Sequence, residues 1–225
     1  MPDYVVEFGK DGGSIKADGR LDAPSFHRNH EPIRAVLGKF LDGKSGDVLE
    51  AGSGTGQHVV DFARRSPAIT WWPSDFNDAH LNSIAAWRAH AQLANVRAPL
   101  RIDLSDPAWC PEMHDGRGPG PLLAVLCANV IHIAPWRVAE GLLAGAARYL
   151  GADGRLFLYG PFKRDGKHTA GSNQAFDLSL RNNNPEWGVR DIGDVRQLAE
   201  SNGLRLAEIA DMPANNFMLV FARRP

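Results

Sequence analysis

Apolar and polar residues alternate along most of the chain with two periods, one typical of helices and one of strands. Between residues 31 and 41 the apolar side chains recur three and four positions apart, which places them on one face of a helix. Pro32 suits the first turn of that helix, where its missing N–H has no intrahelical partner. We therefore predict that the first helix opens at Glu31-Pro32.

Seven short apolar runs have the length of β-strands, and four of them are followed by a helical pattern. The run 122–128 is apolar throughout, as expected for a central parallel strand covered on both faces. Gly151 follows the helix predicted at 135–150 and is expected to cap its end. The predicted strands are 47–51, 69–73, 96–102, 122–128, 155–159, 204–210 and 216–222. The helices predicted between them are 57–65, 78–93, 135–150 and a last helix from residue 194.

Strand and helix alternate five times, which predicts an α/β protein with a three-layer, Rossmann-like sandwich around a mostly parallel sheet. Too few residues join the last two strands for a crossover, so we expect an antiparallel hairpin there. Residues 27–225 then form a single domain, and residues 1–26, rich in Gly, Asp and Lys, form an N-terminal arm. In such a sheet, ligands bind beyond the carboxyl ends of the strands.

Composition narrows the function classes. The 225 residues are 44% hydrophobic and carry a net charge of −1, without a basic extension, so we expect no nucleic-acid partner. No apolar run approaches a membrane span, and the N-terminus lacks a signal-peptide pattern. Cys110 and Cys127 are too few for a disulfide framework. We expect a cytoplasmic protein without a membrane partner, and its oligomeric state is open.

The turn after the first strand has the clearest chemical pattern. Glu50 precedes three glycines, Gly52, Gly54 and Gly56, at the start of a helix whose free N–H groups can bind polar ligand atoms. Dinucleotide-binding turns follow Gly-x-Gly-x-x-Gly, but Gln57 occupies that third position here. The spacing therefore favours a ligand without a pyrophosphate, although a glycine turn can also simply join a strand to a helix.

This Glu-x-Gly-x-Gly-x-Gly pattern resembles the first motif of class I S-adenosylmethionine-dependent methyltransferases. The resemblance implies that the turn lies against the amino-acid and ribose parts of S-adenosylmethionine, with S-adenosylhomocysteine as the product. It also makes Asp75 the ribose ligand, through a bidentate arrangement, and places Asp103 and Leu104 at the adenine. Asp75 can instead be a helix N-terminal acid, with Asp78 as the cap, and Asp103 can be a turn residue.

Asn129 and His132 follow the fourth strand, where this fold keeps residues that face the reacting methyl group. An imidazole titrates near neutral pH, so His132 is the candidate general base, and Asn129 is a candidate to orient donor or acceptor. His132 can instead simply start the next helix. Tyr159, at the end of the fifth strand, is a weaker candidate.

Further stretches go beyond a general methyltransferase pattern. With RNHEPI at 28–33 and EAGSGTGQH at 50–58, the segments 72–75, 162–191 and 212–216 resemble an uncharacterised, methyltransferase-like family known as a domain of unknown function. The resemblance spans nearly the whole chain from Phe26 onward. It implies that Arg28 and Asn29 reach the donor's carboxylate or the acceptor, unless they only cap and hinge the first helix.

The polar connection 163–190 is long enough to be a lid or binding loop over the acceptor. Within it, Asn173, Asp177 and Arg181 recur at four-residue spacing on one helical face, as a functional or a solvated surface stripe. His27 and His30 lie close together, but no acid or cysteine completes a ligand set, so we expect no metal.

The sequence thus predicts methyl transfer from S-adenosylmethionine to an unidentified small-molecule substrate. Two alternatives stay open at this point. One is a regulatory protein that binds S-adenosylmethionine without catalysis, and the other is an NAD(P)-dependent oxidoreductase.

Overall fold

The computed structural model describes residues 16–111 and 118–224. The helices are α1 (Pro24–Leu41), α2 (Gln57–Arg65), α3 (Asp78–Ala91), α4 (Trp136–Tyr149), α5 (Gly171–Asn183), α6 (Ile192–Ser201) and the 3-10 turn η1 (Pro213–Asn215). The strands are β1 (Gly46–Ala51), β2 (Ile69–Asp75), β3 (Leu100–Arg101), β4 (Leu122–Ala128), β5 (Leu150–Gly160), β6 (Phe162–Arg164), β7 (Lys167–His168), β8 (Arg190–Asp191), β9 (Leu204–Met212) and β10 (Asn216–Arg223).

The main sheet has seven strands in the order β3-β2-β1-β4-β5-β10-β9. Strands β1 to β5 pair in parallel, and β10 pairs antiparallel with both β5 and β9. The predicted α/β sandwich with its C-terminal antiparallel hairpin is confirmed. Because the parallel strands all end at one edge, the residues that follow β1, β2, β4 and β5 meet there.

Both faces of the sheet are covered by helices. Neighbouring residues of β1 separate the two cores: Leu49 belongs to the layer with α4 and α6, and Val48 to the layer with α1 and α2. Both side chains are fully buried, which explains why the central strands read as continuous apolar runs rather than as alternating ones.

The first helix begins seven residues earlier than its pattern predicted. It opens at Pro24, which occupies the first turn, and Pro32 lies inside the helix. Leu21 and Ala23, assigned to the arm, are buried, and their backbone N–H groups donate to Ser83 on α3 and to Gln57 on α2. The packed part of the chain therefore starts before residue 27. Residues 1–15 of the predicted arm lie outside the described part of the chain.

Two other boundaries differ from prediction. The third strand has only two residues, Leu100–Arg101, and Val96 adds a single isolated bridge to Trp71. Helix α4 ends at Tyr149 with Leu150 already extended, so Gly151 lies in β5 and does not cap the helix.

The connection after β5 has secondary structure of its own. Strands β6, β7 and β8 form a small separate sheet, and α5 packs against it. Asn173 and Asp177 on α5 are both buried. The helical spacing is thus confirmed. The interpretation as a solvated surface stripe is wrong for Asn173 and Asp177, whereas Arg181 is exposed. Among the described residues, no helix is long and apolar enough to cross a bilayer.

Candidate active site

A cavity of about 850 Å³ lies at the carboxyl ends of β1, β2, β4 and β5. Helices α1 and α5 and the turn η1 close it from the other side. Its volume is near the upper end of the range for small-molecule sites. It contains Glu50 and Asp75 at one end and Tyr159 and Asn216 at the other.

The three glycines of the β1–α2 turn have different roles. All three have positive φ, with 74° at Gly52, 56° at Gly54 and 88° at Gly56. A Cβ on Gly52 would meet Val130 Cγ2 at 2.6 Å, and one on Gly56 would meet the backbone Cα of Ile84 at 2.9 Å. Gly52 and Gly54 line the cavity. Gly56 instead lets α2 begin in close contact with α3.

Gln57 fastens the start of α1 to this turn. Its side chain accepts the Ala23 backbone N–H at 2.7 Å and the Thr55 hydroxyl at 2.9 Å, and donates to Asp22 at 2.6 Å. From the sequence, Gln57 mattered only because it occupies the position of the third glycine in a dinucleotide-binding motif. In the fold, Gln57 is the first residue of α2 and binds the segment before α1, at the position where a dinucleotide motif would have its third glycine.

Glu50 is a buried acid without a charged partner. Its side chain is 2% exposed, and its Oε2 has no hydrogen-bond partner among the described residues. Burial raises the pKa of Glu50 to about 8; the charge of Asp75 adds to the rise and Ser53 opposes it. A buried carboxyl of this kind favours a cationic group beside it.

Asp75, the last residue of β2, is held by backbone groups. Its Oδ1 accepts the N–H groups of Phe76 and Asn77 at 2.9 and 3.0 Å, and its Oδ2 accepts the Gly54 N–H at 2.9 Å. A carboxylate has about four acceptor positions, so Oδ2 keeps capacity for a ligand while Oδ1 is largely occupied. The bidentate arrangement expected from the sequence therefore does not match the local geometry.

Helix α3 begins directly after Asp75, and the structure shows which residue caps it. Asn77, not Asp78, caps α3, through bonds to the N–H groups of Ala79 and His80. The His80 ring is also buried in the cavity wall, with Nδ1 3.2 Å from Asp75 Oδ1. Sequence reasoning overlooked His80, although its position one helical turn after the cap could have suggested it.

Of the two residues predicted to contact the adenine, Leu104 lines the cavity and Asp103 does not. Leu104 is buried and lines the cavity together with Ile102. Asp103 is not among the described lining residues, and its Oδ1 accepts the backbone N–H and the hydroxyl of Ser105. The structure thus gives the apolar wall at this end of the cavity to Ile102 and Leu104.

Asn129 and His132 both line the cavity after β4. Asn129 has a left-handed backbone, with φ 59°, and its N–H donates to the Tyr159 carbonyl at 2.9 Å. The His132 ring packs edge-on against Phe162, and a Cβ on Gly160 would lie 2.4 Å from its Nε2. The glycine at the end of β5 therefore leaves room for this imidazole.

The His132 imidazole is neutral. The ring is 1% exposed, and neither nitrogen has a hydrogen-bond partner among the described residues. Burial lowers the pKa of His132 to about 3, with the charge of Arg190 adding to the effect and that of Asp177 opposing it. The expectation that this imidazole titrates near neutral pH is wrong, and its role as a general base stays a prediction.

Arg28 and Asn29 both border the cavity from α1. Asn29 is buried, and its Oδ1 lies 2.8 Å from Nε2 of His58. Burial and the nearby His30 lower the pKa of His58 to about 4, so that ring is neutral at physiological pH. Arg28 is exposed at the cavity mouth. Both residues thus lie at the cavity, and their contact with the donor's carboxylate or with the acceptor stays a prediction.

Helix α5 covers the cavity and is anchored by Asp177. That carboxylate accepts the Val189 N–H at 2.7 Å and lies 2.9 Å from Lys163, 3.2 Å from Arg181 and 3.2 Å from His168. Burial pushes the pKa of Asp177 up, but Lys163 and the Val189 N–H hold it below its ordinary value. Asp177 thus joins α5 to the small sheet, although its spacing alone indicated only a helical face.

No group of three or more potential metal-ligating side chains occurs among the described residues. The absence of a metal from the function stays a prediction.

Comparison with known proteins identifies the fold of this site. The profile of the family described as "Protein of unknown function (DUF938)" matches residues 20–223. The fold is shared with an O-methyltransferase family protein from Burkholderia thailandensis, at 18% identity and a TM-score of 0.71 over 88% of this chain and 57% of that one. It is also shared with CalO1, a methyltransferase in calicheamicin biosynthesis, at 15% identity and a TM-score of 0.65 over 86% of this chain and 54% of that one.

A third structure is similar over most of its own length. Magnesium protoporphyrin IX methyltransferase (ChlM) from Synechocystis PCC 6803, with bound SAH, is 16% identical, with a TM-score of 0.63 over 87% of this chain and 81% of that one. The chain thus spans little more than half of the first two structures and about four fifths of this one. At these identities the comparison shows a shared fold, and the Rossmann-like methyltransferase architecture expected from the sequence is confirmed.

Proposed function

The chain belongs to the DUF938 family, and from that premise and the geometry of its cavity we propose that it transfers a methyl group from S-adenosylmethionine to a small-molecule acceptor. One observation carries the proposal. Glu50 presents to the cavity a buried carboxyl oxygen that has no hydrogen-bond partner in the described part of the chain. It lies directly before a glycine turn in which Gln57, in place of a third dinucleotide glycine, binds Ala23. That arrangement suits a cationic nucleoside better than a pyrophosphate.

The residues of the cavity fit this donor. The orphaned Glu50 oxygen can accept a hydrogen bond from an ammonium group, and Asp75 Oδ2 keeps capacity for a ribose hydroxyl. Gly52 and Gly54 leave the backbone bare where they line the cavity. Ile102 and Leu104 supply an apolar wall for the adenine. The structures of CalO1 and ChlM contain SAH, and ChlM has also been solved with SAM, which supports the same donor here.

When bound, S-adenosylmethionine would supply a methyl group activated by its sulfonium, for displacement by a lone pair of the acceptor. S-adenosylhomocysteine would be the leaving group, and a proton lost by the acceptor would pass to solvent water. The protein's own contribution is chiefly positioning, which can supply roughly 7–11 kcal/mol for well-oriented groups. Asn129 and His132 orient the acceptor at the end of β4. His132, kept neutral by burial, accepts a hydrogen bond from the acceptor's O–H or N–H.

A labelling experiment tests transfer to an acceptor of any identity. The protein is incubated with methyl-labelled S-adenosylmethionine and a protein-free extract of cellular metabolites, and labelled small molecules are sought by mass spectrometry. We expect time-dependent label transfer together with S-adenosylhomocysteine release. Binding of the donor without any transfer would instead favour a regulatory, non-catalytic protein.

The variant His132→Leu refines this test. It removes both ring nitrogens while keeping an apolar side chain against Phe162. If His132 only accepts a hydrogen bond, turnover should fall roughly tenfold, with unchanged affinity for S-adenosylhomocysteine. A loss of about 10²–10⁴-fold would instead identify a general base.

A further inference from the structure

We propose that the methyl acceptor carries an anionic group, a carboxylate or a phosphate, attached to a flat apolar part, and that Arg28 binds the anion. This inference rests on the proposed function and adds a substrate class to it. It follows from how charge, distance and apolar surface are distributed within the one cavity.

Charge divides the cavity into two ends. The acidic lining residues in the described part of the chain, Glu50 and Asp75, both belong to the ends of β1 and β2. Among the described lining residues, Arg28 is the single arginine or lysine. None of the described carboxylates lies within ion-pair distance of Arg28. If the cationic donor binds at the acidic end, the Arg28 guanidinium is available to bind the acceptor.

The position of Arg28 across the sheet supports this assignment. The charge of Arg28 acts on Tyr159, where, with the amides of Asn29 and Asn216, it opposes the rise in the Tyr159 pKa that burial causes. Tyr159 is on β5 and Asn216 on β10, and β5 lies two strands from β1 and three from β2. At about 4.8 Å per strand, these separations are about 10 and 14 Å. The side of the cavity formed by Tyr159 therefore lies well away from the strand ends that carry Glu50 and Asp75.

The same end of the cavity has an unusual apolar surface. Phe176 on α5 is 42% exposed and lines the cavity together with Tyr159, Pro161 and Pro213. The wall behind it is fixed, because the Asn173 amide donates to the Asn215 carbonyl at 2.9 Å and so ties α5 to η1. A planar apolar group between these side chains would cover Phe176, and an attached anion would lie within the range of the guanidinium.

Binding of simple probes to the protein saturated with S-adenosylhomocysteine tests the proposal. Benzoate and benzamide have the same shape and differ in charge, and phenyl phosphate replaces the carboxylate by a phosphate. Their affinities are measured by calorimetry for the wild type, for Arg28→Gln, and for Lys39→Gln, a control that removes the same charge from an exposed position of the same helix.

We expect an anionic probe to bind the wild type about tenfold or more tightly than benzamide, as for a hydrogen bond to a charged group. Arg28→Gln should abolish that preference, and Lys39→Gln should keep it. The affinity of both variants for S-adenosylhomocysteine should stay within about twofold of wild type. A preference for benzoate over phenyl phosphate would identify a carboxylate acceptor, and the reverse a phosphate.

Two results would overturn the inference. One is equal or absent binding of all three probes to the wild type. The other is a loss of S-adenosylhomocysteine affinity of tenfold or more in Arg28→Gln, which would assign Arg28 to the donor's carboxylate. A wild-type protein that fails to bind S-adenosylhomocysteine at all would instead contradict the proposed function itself.

Discussion

Replacing Asp75 with alanine should lower the affinity for S-adenosylhomocysteine roughly 100-fold or more. The substitution removes an acceptor for a ribose hydroxyl, and a hydrogen bond to a charged group contributes about 1.5–3 kcal/mol. It also leaves the N–H groups of Gly54, Phe76 and Asn77 without the acceptor that holds them. The turn that lines the cavity would therefore lose its shape together with its ligand contact.

The neighbouring Asp78 provides a matched control. It is an acid at the start of the same helix, but its side chain is 78% exposed and pairs with Arg101 on the surface. Asp78→Ala should leave the affinity for S-adenosylhomocysteine within about twofold of wild type. Calorimetry of both variants, with thermal unfolding to confirm that each is folded, checks the prediction. Equal affinities for the two variants would contradict the role given to Asp75.

The affinity for S-adenosylhomocysteine should rise with pH between 6 and 8. Burial raises the pKa of Glu50 to about 8, so the carboxyl is about nine-tenths protonated at pH 7. A bound ammonium group favours the ionised form, and binding then releases this proton. The apparent affinity should increase by as much as about tenfold per pH unit below pH 8 and level off above it.

Glu50→Gln is the matched variant, since it keeps the shape and removes the titration. Its affinity for S-adenosylhomocysteine should be weak and nearly independent of pH over the same range. Calorimetry in two buffers with different ionisation enthalpies measures the released proton directly. A wild-type affinity that is flat from pH 6 to 8, or that matches the variant at every pH, would contradict this assignment.

The raised pKa of Glu50 also affects the stability of the protein without ligand, and it does so in the opposite direction to its effect on affinity. A carboxyl whose pKa rises on folding, here from 4.5 to about 8, binds its proton more tightly in the folded state. Stability is therefore lost as pH rises through that window. Glu50→Gln should lack this part of the pH dependence of unfolding. A rise in pH thus strengthens ligand binding and weakens the fold through the same carboxyl group, Glu50.

The sequence allowed much of the fold and the acidic end of the cavity to be predicted, because both depend on local patterns. Parallel strands end at one edge of a sheet, so Glu50, Asp75 and Asn129 could be brought together from their places at the ends of predicted strands. Boundaries were less accurate where tertiary contacts override the pattern. Helix α1 extends back to Pro24 since the segment before it is bound to Gln57.

The chemical state of individual residues could not be read from spacing. His132 was correctly placed at the end of β4, but its pKa depends on burial between β5 and the small sheet, elements far away in sequence. His80 and Asp177 were missed or left ambiguous for the same reason. Each is defined by partners brought together only when the chain folds, Asp75 for the first and Lys163 for the second.

The β1–α2 turn and Glu50 should bind a cationic nucleoside rather than a dinucleotide, and every other assignment in the cavity depends on this preference. Calorimetric titration of the purified wild-type protein with S-adenosylmethionine, and in parallel with NADH and NADPH, tests it directly. We expect one S-adenosylmethionine bound per chain and no measurable heat from either nicotinamide. Saturable binding of NADH or NADPH, with none of S-adenosylmethionine, would contradict it.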